Sequence, residues 1–163
     1  MVPNSTEDQT EKLQTLLSQT AKEGRALFLP QGSYALSKDI TISSNYQLIG
    51  DTTGATILHN ATGTPIQLKD TTYGTKTNVR LQNIAFDGIN VTLKLTNQLT
   101  LANNIFYNPL KGFVVNLNAD IGVKISGNIF MRDTAHMQPK IDFNRAIYIG
   151  GYSTPSRFQY MSD

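Results

Sequence analysis

The residues best equipped for chemistry lie close together, late in this 163-residue chain. Arg132, Asp133, His136, Lys140, Asp142 and Arg145 put six ionisable groups into fourteen positions. The set holds two acids, three fixed cations and a base candidate in His136. Such cations can neutralise a carboxylate while a base removes the proton on the neighbouring carbon. The plain alternative is a solvated loop whose charges pair locally. His59, the other histidine, follows Thr56-Ile57-Leu58 at a strand end and reads as a surface residue. Asp51, Asp70, Asp87 and Asp120 fall at strand ends or turns, where Asp commonly makes turns. Tyr107, Tyr148 and Tyr152 could stack on sugar rings or fill core and ladder positions. Asp133 and His136 are too few to make a metal site, and there is no cysteine to add to them.

The elements that must position this cluster differ along the chain. All three glutamates (Glu7, Glu11, Glu23) precede Gly24, and the remainder is rich in Asn, Thr and Gly. Glu favours helix, Thr suits strands, and Asn and Gly suit turns, so a short helical start and a long β remainder are expected. Residues 4–22 read as an amphipathic helix with Leu13, Leu16, Leu17 and Ala21 on one stripe. Ser5 or Thr6 is its expected N-cap, Thr6 with Gln9 fits a capping box, and Gly24 is the expected stop. The helical cap is therefore set at 4–24 and the coils at 25–163, as one domain.

Within the β remainder a motif recurs. Val79-Arg80-Leu81, Leu99-Thr100-Leu101 and Val123-Lys124-Ile125 are each followed by a Phe: Phe86, Phe106 and Phe130. The Phe residues repeat at the same two steps as the strands that precede them, and the second step is slightly the longer. Asn83, Asn103 and Gly127 supply the turn after each first strand. A second strand recurs as Val91-Leu93-Leu95, Phe113-Val115-Leu117 and Ile147-Ile149. Strands this short cannot hide an apolar face alone, and stacked coils would align them into columns. A β-sandwich has many short strands too, but does not require aligned Phe columns. Phe158-Gln159-Tyr160 resembles the first strand of a further coil. The step from Val123 to Phe158 is much longer than either earlier one, and the excess falls after Phe130. The chain would then stop in mid-coil, which predicts either a longer protein or an edge covered by a homo-oligomeric contact.

One stretch is more specific. Asn4 to Thr10, Leu13-Gln14, Leu27-Phe28-Leu29-Pro30-Gln31-Gly32-Ser33-Tyr34 and Leu48-Ile49-Gly50-Asp51 together resemble the opening of the pectate-lyase superfamily. The resemblance implies an all-β fold: a single-stranded right-handed parallel β-helix with an N-terminal α-helical cap. It implies an extracellular or cell-surface protein with a polysaccharide partner, and admits calcium as a cofactor. No other cofactor is indicated. The hydrolase motifs of related proteins (Gly-His-Gly, Asp-Asp, Arg-Ile-Lys) do not occur, and no acidic calcium cluster is recognisable. No catalytic residue can therefore be assigned, and the cluster from Arg132 to Arg145 stands as the substrate-binding candidate.

Two functional expectations follow. One is the N-terminal part of a carbohydrate-active protein that eliminates, hydrolyses or epimerises an acidic polysaccharide. The other is a non-catalytic structural or adhesive module, such as a phage tail appendage or surface adhesin. With 16% charged residues and a net charge of +2, a nucleic-acid partner is not expected. No run is long enough to span a membrane, and residues 1–4 lack the charged and apolar regions of a signal peptide.

Overall fold

The structure is a computed structural model that describes residues 1–70, 76–94, 96–108, 113–118, 122–131 and 145–150. One helix, α1 (Thr10–Lys22), precedes three five-stranded parallel sheets. Sheet I stacks β1 (Leu27–Leu29), β4 (Gln47–Gly50), β7 (Lys76–Gln82), β10 (Thr96–Ala102) and β13 (Lys124–Ser126). Sheet II stacks β2 (Gly32–Leu36), β5 (Thr56–Asn60), β8 (Ala85–Asp87), β11 (Ile105–Tyr107) and β14 (Ile129–Met131). Sheet III stacks β3 (Ile40–Thr41), β6 (Ile66–Lys69), β9 (Ile89–Lys94), β12 (Phe113–Asn118) and β15 (Arg145–Gly150). Each coil gives one strand to each sheet, so the chain makes about 4 turns of a β-solenoid.

The register explains why these sequences coil. Leu81 pairs with Leu101, and Leu101 with Ile125. Phe86, Phe106 and Phe130 pair in the same steps. Because the side-chain period of a strand is two, this register turns all of them to the interior together. The three rings stack with centroids 4.9 and 5.1 Å apart and nearly parallel planes. That spacing is about one strand separation, so the backbone ladder sets the ring stack. In sheet III the column is Leu68, Val91, Val115 and Ile147.

The corner between sheets I and II is built twice over. Asn83, Asn103 and Gly127 all take left-handed backbone, with φ of 58°, 54° and 63°. A Cβ on Gly127 would lie 2.2 Å from Asn103 Oδ1, so a side chain there requires the Asn103 amide to move. In the last two copies the next residue turns inward. Asn104, fully buried, donates from Nδ2 to Leu81 O (2.9 Å) and Asn128 Oδ1 (3.0 Å), and accepts from Ile84 N (3.2 Å). Asn128 donates onward to Leu101 O (2.8 Å). These amides satisfy the backbone groups that a corner takes out of the ladder.

The N-terminal cap differs from expectation in how it starts. The helix begins at Thr10, and the Thr6–Gln9 capping box does not form. Residues 3–9 serve the edge of sheet II instead. Asn4 N donates to Ser33 O (2.8 Å), Ser33 N to Asn4 Oδ1 (3.0 Å), and Gln9 N to Ala35 O (2.9 Å). Asp8 takes the N–H of Thr10 (3.0 Å) and the N–H and hydroxyl of Ser37 (3.1 and 2.6 Å). The helix ends as expected: Gly24, at φ 66°, donates to Ala21 O (3.2 Å), and Arg25 N to Thr20 O (2.9 Å). Leu13 and Leu17 are fully buried on the first coil. The Gln14 amide pairs with the backbone N–H and C=O of Thr41 at 2.8 and 3.0 Å, taking the place of a neighbouring strand for β3.

Candidate functional site

The charged cluster falls between two described strands, and the connection it belongs to follows from their order. Sheet II hands the chain to sheet III through residues 37–39, 61–65, Gly88 alone, 108–112 and 132–144 in successive coils. The last connection is the long one. Arg132, Asp133, His136, Lys140 and Asp142 lie outside the described residues. Arg145 opens β15, opposite Phe113 of β12. The chain leaves sheet II at Met131 and rejoins sheet III at Arg145.

On sheet III the outward column runs Thr41, Lys69, Thr92, Asn116, Tyr148. Its early members are engaged: Lys69 pairs with Asp39, and Thr92 Oγ1 donates to Gln67 Oε1 (2.8 Å). Nearer the long connection, Asn116 Oδ1 is buried with no hydrogen-bond partner among the described residues. An amide oxygen in that position is an acceptor awaiting a donor. Tyr148, the next member, is half-buried on β15 and offers a ring and a hydroxyl.

On sheet II the outward column is Ala35, His59, Asp87, Tyr107, Met131. His59 is half-buried and its Nδ1 lies 2.8 Å from Ser33 Oγ. Asp87 accepts from Asn108 Nδ2 (3.1 Å). Burial first, and then the Asp87 charge, push the Tyr107 hydroxyl up to about 12, so it remains a proton donor across the physiological range. A shallow cleft of about 420 Å³, lined by Asn4, Gln31, Gly32, Ser33, Ala55 and Ile57, adjoins the Ser33–His59 pair. The column His59–Asp87–Tyr107 is not legible as a unit in sequence. Each member belongs to a different coil, and only the register brings them together.

The turn role expected of the aspartates holds for Asp51, whose Oδ1 accepts from Thr53 N (2.9 Å) and Oγ1 (2.6 Å). Asp70 is different. Its carboxylate is buried against Lys76 at 2.7 Å, with side chains 2% and 6% exposed, and it also accepts from Lys94 N (2.9 Å). Asp120 and Tyr152 lie outside the described residues. Among the described residues no three of His, Asp and Glu gather as metal ligands. Asp39 and Asp70 are each paired with a lysine.

The family described as Rhamnogalacturonase A/epimerase, pectate lyase-like matches residues 1–119. That span holds the cap and the first twelve strands and stops before the long connection. Among curated proteins and among solved structures, none matches this chain. No helix among the described residues is long and apolar enough to cross a membrane.

Proposed function

Because the chain belongs to the rhamnogalacturonase A/epimerase, pectate lyase-like family, we propose that it is the polysaccharide-binding part of an extracellular protein acting on an acidic polysaccharide. The reaction is elimination, hydrolysis or epimerisation at a uronate. One observation supports this reading: the longest sheet II to sheet III connection, 132–144, carries Arg132, His136 and Lys140 together with Asp133 and Asp142, a base candidate between fixed charges of both signs. Arg132, Lys140 and Arg145 would hold the uronate carboxylate, His136 would move the proton, and Asp133 and Asp142 would orient them. Tyr148 and Asn116 on the adjoining face of sheet III would receive the sugar ring and its hydroxyls.

The test is turnover of polygalacturonate and alginate by the purified protein, read as unsaturated ends, reducing ends or epimers. Arg132→Ala with Lys140→Ala should abolish both polymer binding and any product. Wild-type protein that neither binds nor alters either polymer sinks the reading.

A second reading, a non-catalytic adhesive or structural module, is favoured by the last described coil. Ile129, Met131 and Ile149 are 53%, 53% and 46% exposed, an apolar surface suited to self-association. It requires an oligomer in solution and polymer binding without turnover. A monomer by light scattering would weigh against it.

A further inference from the structure

Sheet I presents an outward face of its own. Its five strands contain no Asp or Glu. Register places Gln47, Arg80, Thr100 and Lys124 in one outward column, each on the next strand. Arg80 is held in place: its Nε donates to Gln82 Oε1 at 2.7 Å, and a terminal nitrogen donates to the same oxygen. The rest of its guanidinium fork remains available for a carboxylate. Lys124 is exposed, and among the described residues no carboxylate pairs with either cation.

From this column we infer a second binding surface, for an extended polyuronate lying along the solenoid axis on sheet I. Arg80 and Lys124 are two strands apart, a separation of about 10 Å. In an extended polyuronate with twofold screw symmetry, carboxylates on one edge recur at every second sugar, a rise close to two strand spacings. Thr100, midway, faces the intervening sugar with a hydroxyl. Charge complementarity selects the polymer: the column Gln47–Arg80–Thr100–Lys124 is cationic and neutral-polar, with no acid on the strands of the sheet to repel a carboxylate. The surface would hold the chain of sugars away from the long connection and raise the local concentration of polymer there.

The inference rests on the proposed substrate class, and the experiment separates the two. Arg80→Gln with Lys124→Gln is compared with Arg132→Ala plus Lys140→Ala in the full chain, after circular dichroism shows native β content. Affinity electrophoresis in polygalacturonate gels, with fully methyl-esterified polymer as the uncharged control, reads binding. The sheet I double variant should bind polygalacturonate about fivefold more weakly and with a shallower salt dependence, while the esterified polymer does not discriminate. Amide shifts of β7, β10 and β13 on adding a short oligogalacturonate should be lost in it. Unchanged affinity and unchanged shifts in that variant, alongside loss in the Arg132/Lys140 variant, overturn the second surface and leave the first standing. Wild-type protein that fails to bind the polymer overturns both.

Discussion

The first coil and the last described coil treat the same apolar columns in opposite ways. At the first coil, α1 covers the interior with Leu13 and Leu17, and side chains close the strand edges: Gln14 on Thr41, Asn4 on Ser33, Asp8 on Ser37. Tyr34, Leu36 and Ile40 are fully buried there. In the last described coil the inward residues Ile125, Phe130 and Ile147 are only partly buried, although Leu101, Phe106 and Val115, one coil earlier, are at 1%. Ile149 is 46% exposed, and Leu117 beside it is at 0%. A column residue gains its burial from the coils on both sides, not from its own strand. The capped end is therefore rigid by construction. In the last described coil the same columns are only partly covered by the described residues.

Breaking the columns tests this most strongly. Phe106→Ala removes the central ring of the stack and should cost about 3–5 kcal/mol in urea unfolding. Phe130→Ala, stacked on Phe106 and only partly buried, should cost about half as much. Equal costs would contradict the contrast between the ends. Asn104→Ala should follow, at about 2 kcal/mol, because Leu81 O and Ile84 N lose the amide and Asn128 Oδ1 keeps only the Asn104 backbone N–H. Gln14→Ala should cost about 1 kcal/mol and speed hydrogen exchange at Thr41 while leaving β12 unchanged.

The smallest effect is a pH dependence confined to the cap. Burial would raise the Asp8 carboxyl, but hydrogen bonds from Ser37 and Thr10 outweigh it and hold the group below the usual carboxylate range. A lowered folded value means that the stabilisation is complete above the ordinary carboxylate value. It disappears as pH falls through the lower folded value. Acid should therefore loosen residues 5–10 and 37 first, as measured by exchange at those amides. Asp8→Ala should remove that acid step. Persistence of the step in the variant would assign it to another group.

Much of this fold is legible in the sequence, and for a physical reason. Val79, Leu99 and Val123 recur because each must face the same interior, and the Phe residues recur because their rings stack on one another. The start of the helix is not legible, because Thr6 and Gln9 fit a local box whereas the edge of β2 recruits Asn4 and Gln9 from a distance. Asp70 has the sequence context of a turn residue, and Lys76 meets it only when β6 and β7 are placed around a corner. The ladder of Asn104 and Asn128 hides behind Asn103, whose left-handed turn is the more familiar use of asparagine. Of the candidate site, the location of the long connection is readable from coil length. The pairing of Asn116 with Tyr148 is not, because register alone brings them side by side.

Hydrogen exchange with and without polygalacturonate tests the central claim most directly. Bound polymer should slow exchange in residues 131–150 and in β12, and leave α1 and residues 26–41 as they were. Protection of the cap instead, or no protection at the last coil under saturating polymer, would contradict the account.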